Sequence, residues 1–303
     1  MGRRTGLDAF GVVALIGFAA LFGSNQVAIK VMNDGFQPVF AAALRSVLGG
    51  LCIWLWLGWR GRPMRVAPGT LPLGLLFGAI FAVEFLCLFV ALDHTTVVRA
   101  TVIFYSMPVW LSLAVHVLVP GERIGPVGAL GLVLAFAGMV LALIDVDSLA
   151  DVGGAGRLGD ALALVASMLW AALAFMSRGA SARGMGPEMQ VLWMVAASAP
   201  LLMLAAPFFG PLLRDPGGLH LAMMGFQVVV VVCLGFLGWF WMLSTYPAAS
   251  VASFTFLSPL FGMAFGWLLL GEPVTPKLLF GGVLVAAGLV LINRPAGRRA
   301  SQG

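Results

Sequence analysis

The sequence predicts an all-α integral membrane protein, with ten transmembrane helices arranged as two inverted five-helix repeats around a central cavity. Three observations predict it. Of 303 residues, 61% are hydrophobic and only 10% charged, against about 25% charged in a soluble domain. Apolar runs of about 20 residues, enough to cross ~30 Å of hydrocarbon as a helix, follow one another with short connections. The two halves also end on the same motifs in the same order.

The first run, 9–32, follows Arg3 and Arg4. It is too long for a signal peptide and carries Gly23-Ser24-Asn25-Gln26 inside it, so it reads as a retained span. The second, 36–58, ends with Trp54, Trp56 and Trp59 beside Arg60 and Arg62, an interfacial belt. Spans 70–92, 95–119 and 124–144 complete the first half. Spans 158–181, 187–210, 220–245, 248–270 and 275–293 form the second. Each must be helical, because hydrocarbon offers the backbone no other hydrogen-bond partner.

With the N-terminus in the cytoplasm, Arg3, Arg4, Arg60, Arg62, Arg65, Arg123, Arg178, Arg183, Arg294, Arg298 and Arg299 lie inside, and only Arg157, Arg214 and Lys277 outside. The positive-inside rule favours this orientation and puts both chain ends in the cytoplasm. Asp145, Asp147 and Asp151 share one outer loop. Arginine far outnumbers lysine, and alanine and glycine abound, which points to a GC-rich bacterium and its inner membrane.

Several function classes are disfavoured. The net charge of +5 comes from short loops and the termini rather than a basic face, so no nucleic-acid partner is expected. Cys52, Cys87 and Cys233 sit in apolar runs without metal-ligand spacing, which argues against a disulfide framework or a zinc site. His94, His116 and His220 fall in different spans or at span ends. No catalytic cluster and no phosphate loop is evident, so neither an enzyme nor an ATP-driven pump is expected, and no metal or cofactor.

The repeat is explicit. Ser106-Met107-Pro108, Pro120-Gly121-Glu122 and Ala137-Gly138-Met139-Val140-Leu141 match Leu257-Ser258-Pro259, Leu270-Gly271-Glu272 and Ala287-Gly288-Leu289-Val290-Leu291, with offsets of 150 or 151. The halves are 1–150 and 151–303. Five is odd, so the second copy enters the membrane inverted, an arrangement typical of secondary transporters. Pro108 and Pro259 fall inside spans four and nine and deprive the carbonyls of Phe104 and Thr255 of their helical partners. Two readings fit: tolerated kinks, or paired helix breaks that mark a transport site.

Phe22-Gly23-Ser24-Asn25, Ala28-Ile29-Lys30, Arg45, Pro108, Gly121-Glu122, Pro259 and Gly271-Glu272 together resemble the drug/metabolite transporter superfamily. The nearest branch is the ten-span EamA-type exporters, which include bacterial exporters of aromatic and other amino acids. The resemblance spans the chain. It implies a monomer with a central cavity lined by spans one, three, four, six, eight and nine. It does not name the cargo, and Trp170-Ala171-Ala172 stands where the first half has Gly23-Ser24-Asn25, so the halves are not chemically equivalent.

Lys30 and Arg99 lie close enough to the outer surface to snorkel. Arg45 and Glu84 lie about 13–14 Å below it at 1.5 Å per residue. Because unpaired charge is costly there, they are expected to pair or to share a polar cavity. That pair reads either as a structural lock or as a proton-coupling site at Glu84. Trp170, Trp239 and Trp241 lie too deep for a belt, as core packing or as ligand contacts. The cavity candidates are Asn25, Gln26, Glu84, Tyr105, Ser106, Trp170, Gln227, Ser253 and Ser258. An aromatic-lined cavity with a few polar groups would suit amino acids. The expectation is therefore an alternating-access exporter of small metabolites, chiefly amino acids including aromatic ones. The alternatives are a proton-coupled exporter of drugs or other metabolites, a channel, and a membrane enzyme. GxxxG matches at Gly74–Gly78 and Gly262–Gly266 signal close helix packing.

Overall fold

A computed structural model describes residues 6–61, 68–95, 97–119, 124–143, 154–262 and 276–293. They form α1 (Ala9–Gly35), α2 (Pro38–Trp59), α3 (Leu71–His94), α4 (Val97–Phe104), α5 (Met107–Leu118), α6 (Pro126–Leu143), α7 (Gly154–Ala182), α8 (Pro187–Ala205), α9 (Gly218–Phe226), α10 (Leu237–Thr245), α11 (Ala248–Ser253) and α12 (Pro276–Ile292). The pairs Gly121-Glu122 and Gly271-Glu272 lie outside the described residues.

Among the described residues, seven helices are long and apolar enough to cross a membrane, with three shorter apolar helices besides. Large apolar side chains such as Val13, Leu55, Val83, Val117 and Leu234 point outward. That surface suits hydrocarbon, so the chain is a multi-pass membrane protein.

Caps and breaks follow local chemistry. Asp8 accepts from the Gly11 amide at 2.8 Å to cap α1, and the Tyr246 hydroxyl donates to the same carboxylate at 2.7 Å. The fourth span parts at Tyr105-Ser106, so Pro108 opens α5 in the first turn, where its missing N–H costs nothing. The shorter apolar helix Ala248–Gly262, expected as the start of the ninth span, tightens to 3₁₀ over Phe254–Leu257, just before Pro259. The eighth widens to π-helix over Gln227–Phe236 between α9 and α10, which the apolar pattern did not predict. The run Val228–Val232 holds side chains stiff at χ1.

Helix pairing crosses the midpoint of the sequence. α6 lies along α12, α3 against α7 and α8, α2 against α8 and the π segment, and α1 against α9, the π segment and the 3₁₀ turn. Closest approach is at glycines. A β-carbon on Gly131 would lie 2.7 Å from the Gly288 carbonyl, and one on Gly138 would lie 2.7 Å from that of Gly281.

Candidate functional site

The break in span four turns Tyr105 toward α1, where its hydroxyl donates to the Phe22 carbonyl at 2.7 Å. The π segment turns Gln227 the same way, and its Nε2 donates to Asn25 Oδ1 at 2.7 Å. Between these elements lies a central cavity lined by Phe22, Asn25, Phe85, Leu88, Phe104, Tyr105, Trp170, Phe236 and Thr255. Its rings interlock. Trp170 and Phe236 have centroids 5.3 Å apart, and Phe22 and Phe236 6.2 Å. The free space is about 20 Å³, roughly room for one water.

Asn25, Tyr105 and Trp170 thus line the cavity, and Gln227 is bonded to its wall. The other expected residues are placed differently. Gln26 and Ser258 are buried and make no close hydrogen bond, but both lie near enough to the Tyr105 hydroxyl to interact with it. Neither is among the cavity-lining residues. Ser106 meets Ser167 at 3.0 Å and accepts from Trp110 Nε1 at 3.1 Å, joining α5 to α7. Ser253 donates to the Ser250 carbonyl and accepts from Asn293, a structural tie away from the cavity. Sequence reasoning passed over Phe22, Phe85, Leu88, Phe104 and Phe236. A signal was present for one of them, since Phe81, Phe85 and Phe89 recur every four residues on one face of α3.

Arg45 and Glu84 are both fully buried and interact electrostatically. No guanidinium nitrogen of Arg45 and neither carboxyl oxygen of Glu84 has a hydrogen-bond partner. The guanidinium instead lies 3.6 Å from the Phe85 ring centroid, with Phe81, Phe89 and Phe236 at 5.5, 5.4 and 5.8 Å.

Lys30, Arg99 and Arg214 have structural partners at one end of the bundle. Lys30 does not simply snorkel: its Nζ donates to the Leu92 carbonyl at 2.5 Å, an orphan acceptor in the last turn of α3, and Asn33 donates to the carbonyl of Phe89 one turn earlier. Arg99 pairs with Asp160, which also accepts from Thr95 at 3.0 Å. Arg214, in the loop before α9, forks onto Asp93 at 2.8 and 2.9 Å, and these bonds raise its pKa. Trp239 is buried. Trp241, expected to lie deep, is 42% exposed one turn from the end of α10, edge-on to Phe10. An interfacial position accounts for it. A cleft of about 510 Å³ opens beside the ends of α5 and α7, lined by Leu73, Val119, Phe175, Met176, Arg178, Gly179 and Arg183.

A family model described as the EamA-like transporter family matches twice, over residues 9–144 and 157–294. An uncharacterised protein of Pseudomonas aeruginosa is 31% identical over 297 residues, covering 96% of both chains. A "Probable amino-acid metabolite efflux pump" of Escherichia coli is 28% identical, covering 93% of both chains. A crystal structure superposes with a TM-score of 0.76 at 20% identity, covering 92% of this chain and 96% of that one, a likeness of fold.

Proposed function

Because the chain belongs to the EamA-like transporter family, we propose that it is an alternating-access exporter of small metabolites, chiefly amino acids including aromatic ones. In this reading it is a monomer of ten spans in a bacterial inner membrane. Residues 1–150 and 151–303 are inverted repeats, and both ends are cytoplasmic.

One observation carries the reading. The cavity is walled by helices of both halves, is faced mostly by aromatic rings, and has hydrogen-bonding groups at Asn25, Tyr105 and Thr255. Such a lining suits a ligand with a bulky apolar side chain and a polar head. At about 20 Å³ it is too small for any amino acid, so transport requires the halves to move apart. The cleft bearing Arg178 and Arg183 lies on the side that the positive-inside rule assigns to the cytoplasm, and gives a way in. The efflux-pump names of relatives in Escherichia coli and Salmonella typhimurium support the amino-acid class.

Counter-flow in proteoliposomes tests it. Labelled phenylalanine, tryptophan, leucine and threonine are offered against an unlabelled internal pool. The expected result is saturable exchange, stimulated from the far side and strongest for the aromatic pair. Flux without saturation would mean a channel, and no exchange of any amino acid would overturn the substrate class.

A further inference from the structure

Arg45 and Glu84 are the strongest unexplained feature of the molecule. A fully buried guanidinium and a fully buried carboxyl lie within electrostatic reach of one another, yet every hydrogen-bonding atom of both side-chain heads is unmet. A pair serving only as a structural lock would be expected to close its own bonds, because leaving buried charges unbonded forfeits the energy that repays their desolvation. The pair also adjoins the cavity. Phe85 and Phe236, two of its walls, are two of the four rings that face the guanidinium.

We propose that Arg45 and Glu84 bind the head of a zwitterionic substrate, Arg45 taking a carboxylate and Glu84 an ammonium, while the side chain occupies the aromatic cavity. This rests on the amino-acid reading above and narrows it to ligands carrying both charges. Chemistry favours the match. The planar guanidinium fork donates two parallel bonds to a carboxylate, and an adjacent carboxylate is the natural acceptor for the ammonium one carbon away. A zwitterion adds no net charge to the buried pair and satisfies both members at once. Phe85 both lines the cavity and lies against the guanidinium, so its ring would have to turn aside for a ligand in the cavity to reach Arg45. In the present conformation the ring covers the charge.

The test uses wild-type protein in proteoliposomes exchanging labelled L-phenylalanine, with 3-phenylpropionate and phenethylamine as competitors. Each analogue lacks one charge and would leave one member of the pair unbonded, so each should compete at least about tenfold more weakly than unlabelled L-phenylalanine. Arg45→Met and Glu84→Gln, confirmed as monodisperse on gel filtration, should each lower exchange by at least about tenfold. If either analogue competes within twofold of L-phenylalanine, the proposal is overturned and the amino-acid reading stands. It is equally overturned if an imposed pH gradient drives uptake in wild type but not in Glu84→Gln, since the carboxyl would then be a proton carrier. If no amino acid exchanges at all, the broader reading fails and this one with it.

Discussion

At the scale of single residues, the polar contacts divide into those that hold helices together and those left open. The Tyr105 hydroxyl donates to the Phe22 carbonyl in a buried setting, so Tyr105→Phe should cost about 0.5–1.5 kcal/mol, since that carbonyl loses its extra donor but keeps its helical one. The check is a lower melting temperature in detergent. If cavity shape rather than the hydroxyl governs selectivity, the order of preferred amino acids should stay the same. Asp160 makes the complementary case. It binds both Thr95 and Arg99, so Asp160→Asn should loosen the adjoining N-terminal ends of α4 and α7 and lower thermal stability, with little change in apparent affinity for substrate. Nothing in the sequence announced this contact. An aspartate in the first turns of a span reads as an end marker, and its partners lie 61 and 65 residues away, beyond what any local pattern encodes. Arg45 and Glu84 stood out for the opposite reason. Depth alone singles out a charge in a span, and depth follows from counting residues along a helix.

At the scale of elements, the ten apolar runs gave the helices and most of their ends, because hydrocarbon leaves the backbone no alternative. Pro108 and Pro259 gave the irregularities in spans four and nine. The π-helical stretch Gln227–Phe236 was not legible, since its composition matches any other apolar span and only the packed neighbours decide how its turns are wound. The cavity was half legible for the same reason. Polar residues in apolar runs attract notice, so Asn25 and Tyr105 were found, whereas Phe236 is indistinguishable from a lipid-facing phenylalanine until the helices are assembled. The break at Tyr105-Ser106 yields a prediction. Pro108→Ala restores an N–H and favours a continuous helix through the fourth span. Exchange should fall several-fold while the melting temperature holds or rises, since a straighter helix packs regularly but no longer aims Tyr105 at α1. Equal losses of exchange and stability would mean that the proline serves folding alone.

At the scale of the whole molecule, the inverted-repeat reading makes a demand on the α6–α12 contact that a chance pairing of apolar helices would not meet. Gly131 faces Gly288 and Gly138 faces Gly281, so the two helices run antiparallel. The repeat offset of 150 turns Gly131 into Gly281 and Gly138 into Gly288. Exchanging the halves therefore carries one contact onto the other, as a two-fold axis in the membrane plane requires. A β-carbon at Gly131, Gly138 or Gly288 would meet opposing backbone at 2.5–2.7 Å, and backbone cannot rotate aside as a side chain can. Each glycine-to-alanine substitution should force the helices apart at a cost of about 1–3 kcal/mol, and Gly138→Ala and Gly288→Ala should cost the same. Combining Gly131→Ala with Gly288→Ala should be clearly less than additive, because the first separation already makes room for the second methyl group. Gly131→Ala with Gly138→Ala, about 10 Å apart along α6, should come closer to additivity. Thermal unfolding of the three single and two double variants measures all of this. A strong asymmetry between Gly138 and Gly288 would show that the halves do not meet as equivalents, and would remove the geometric basis for swapping their conformations during transport.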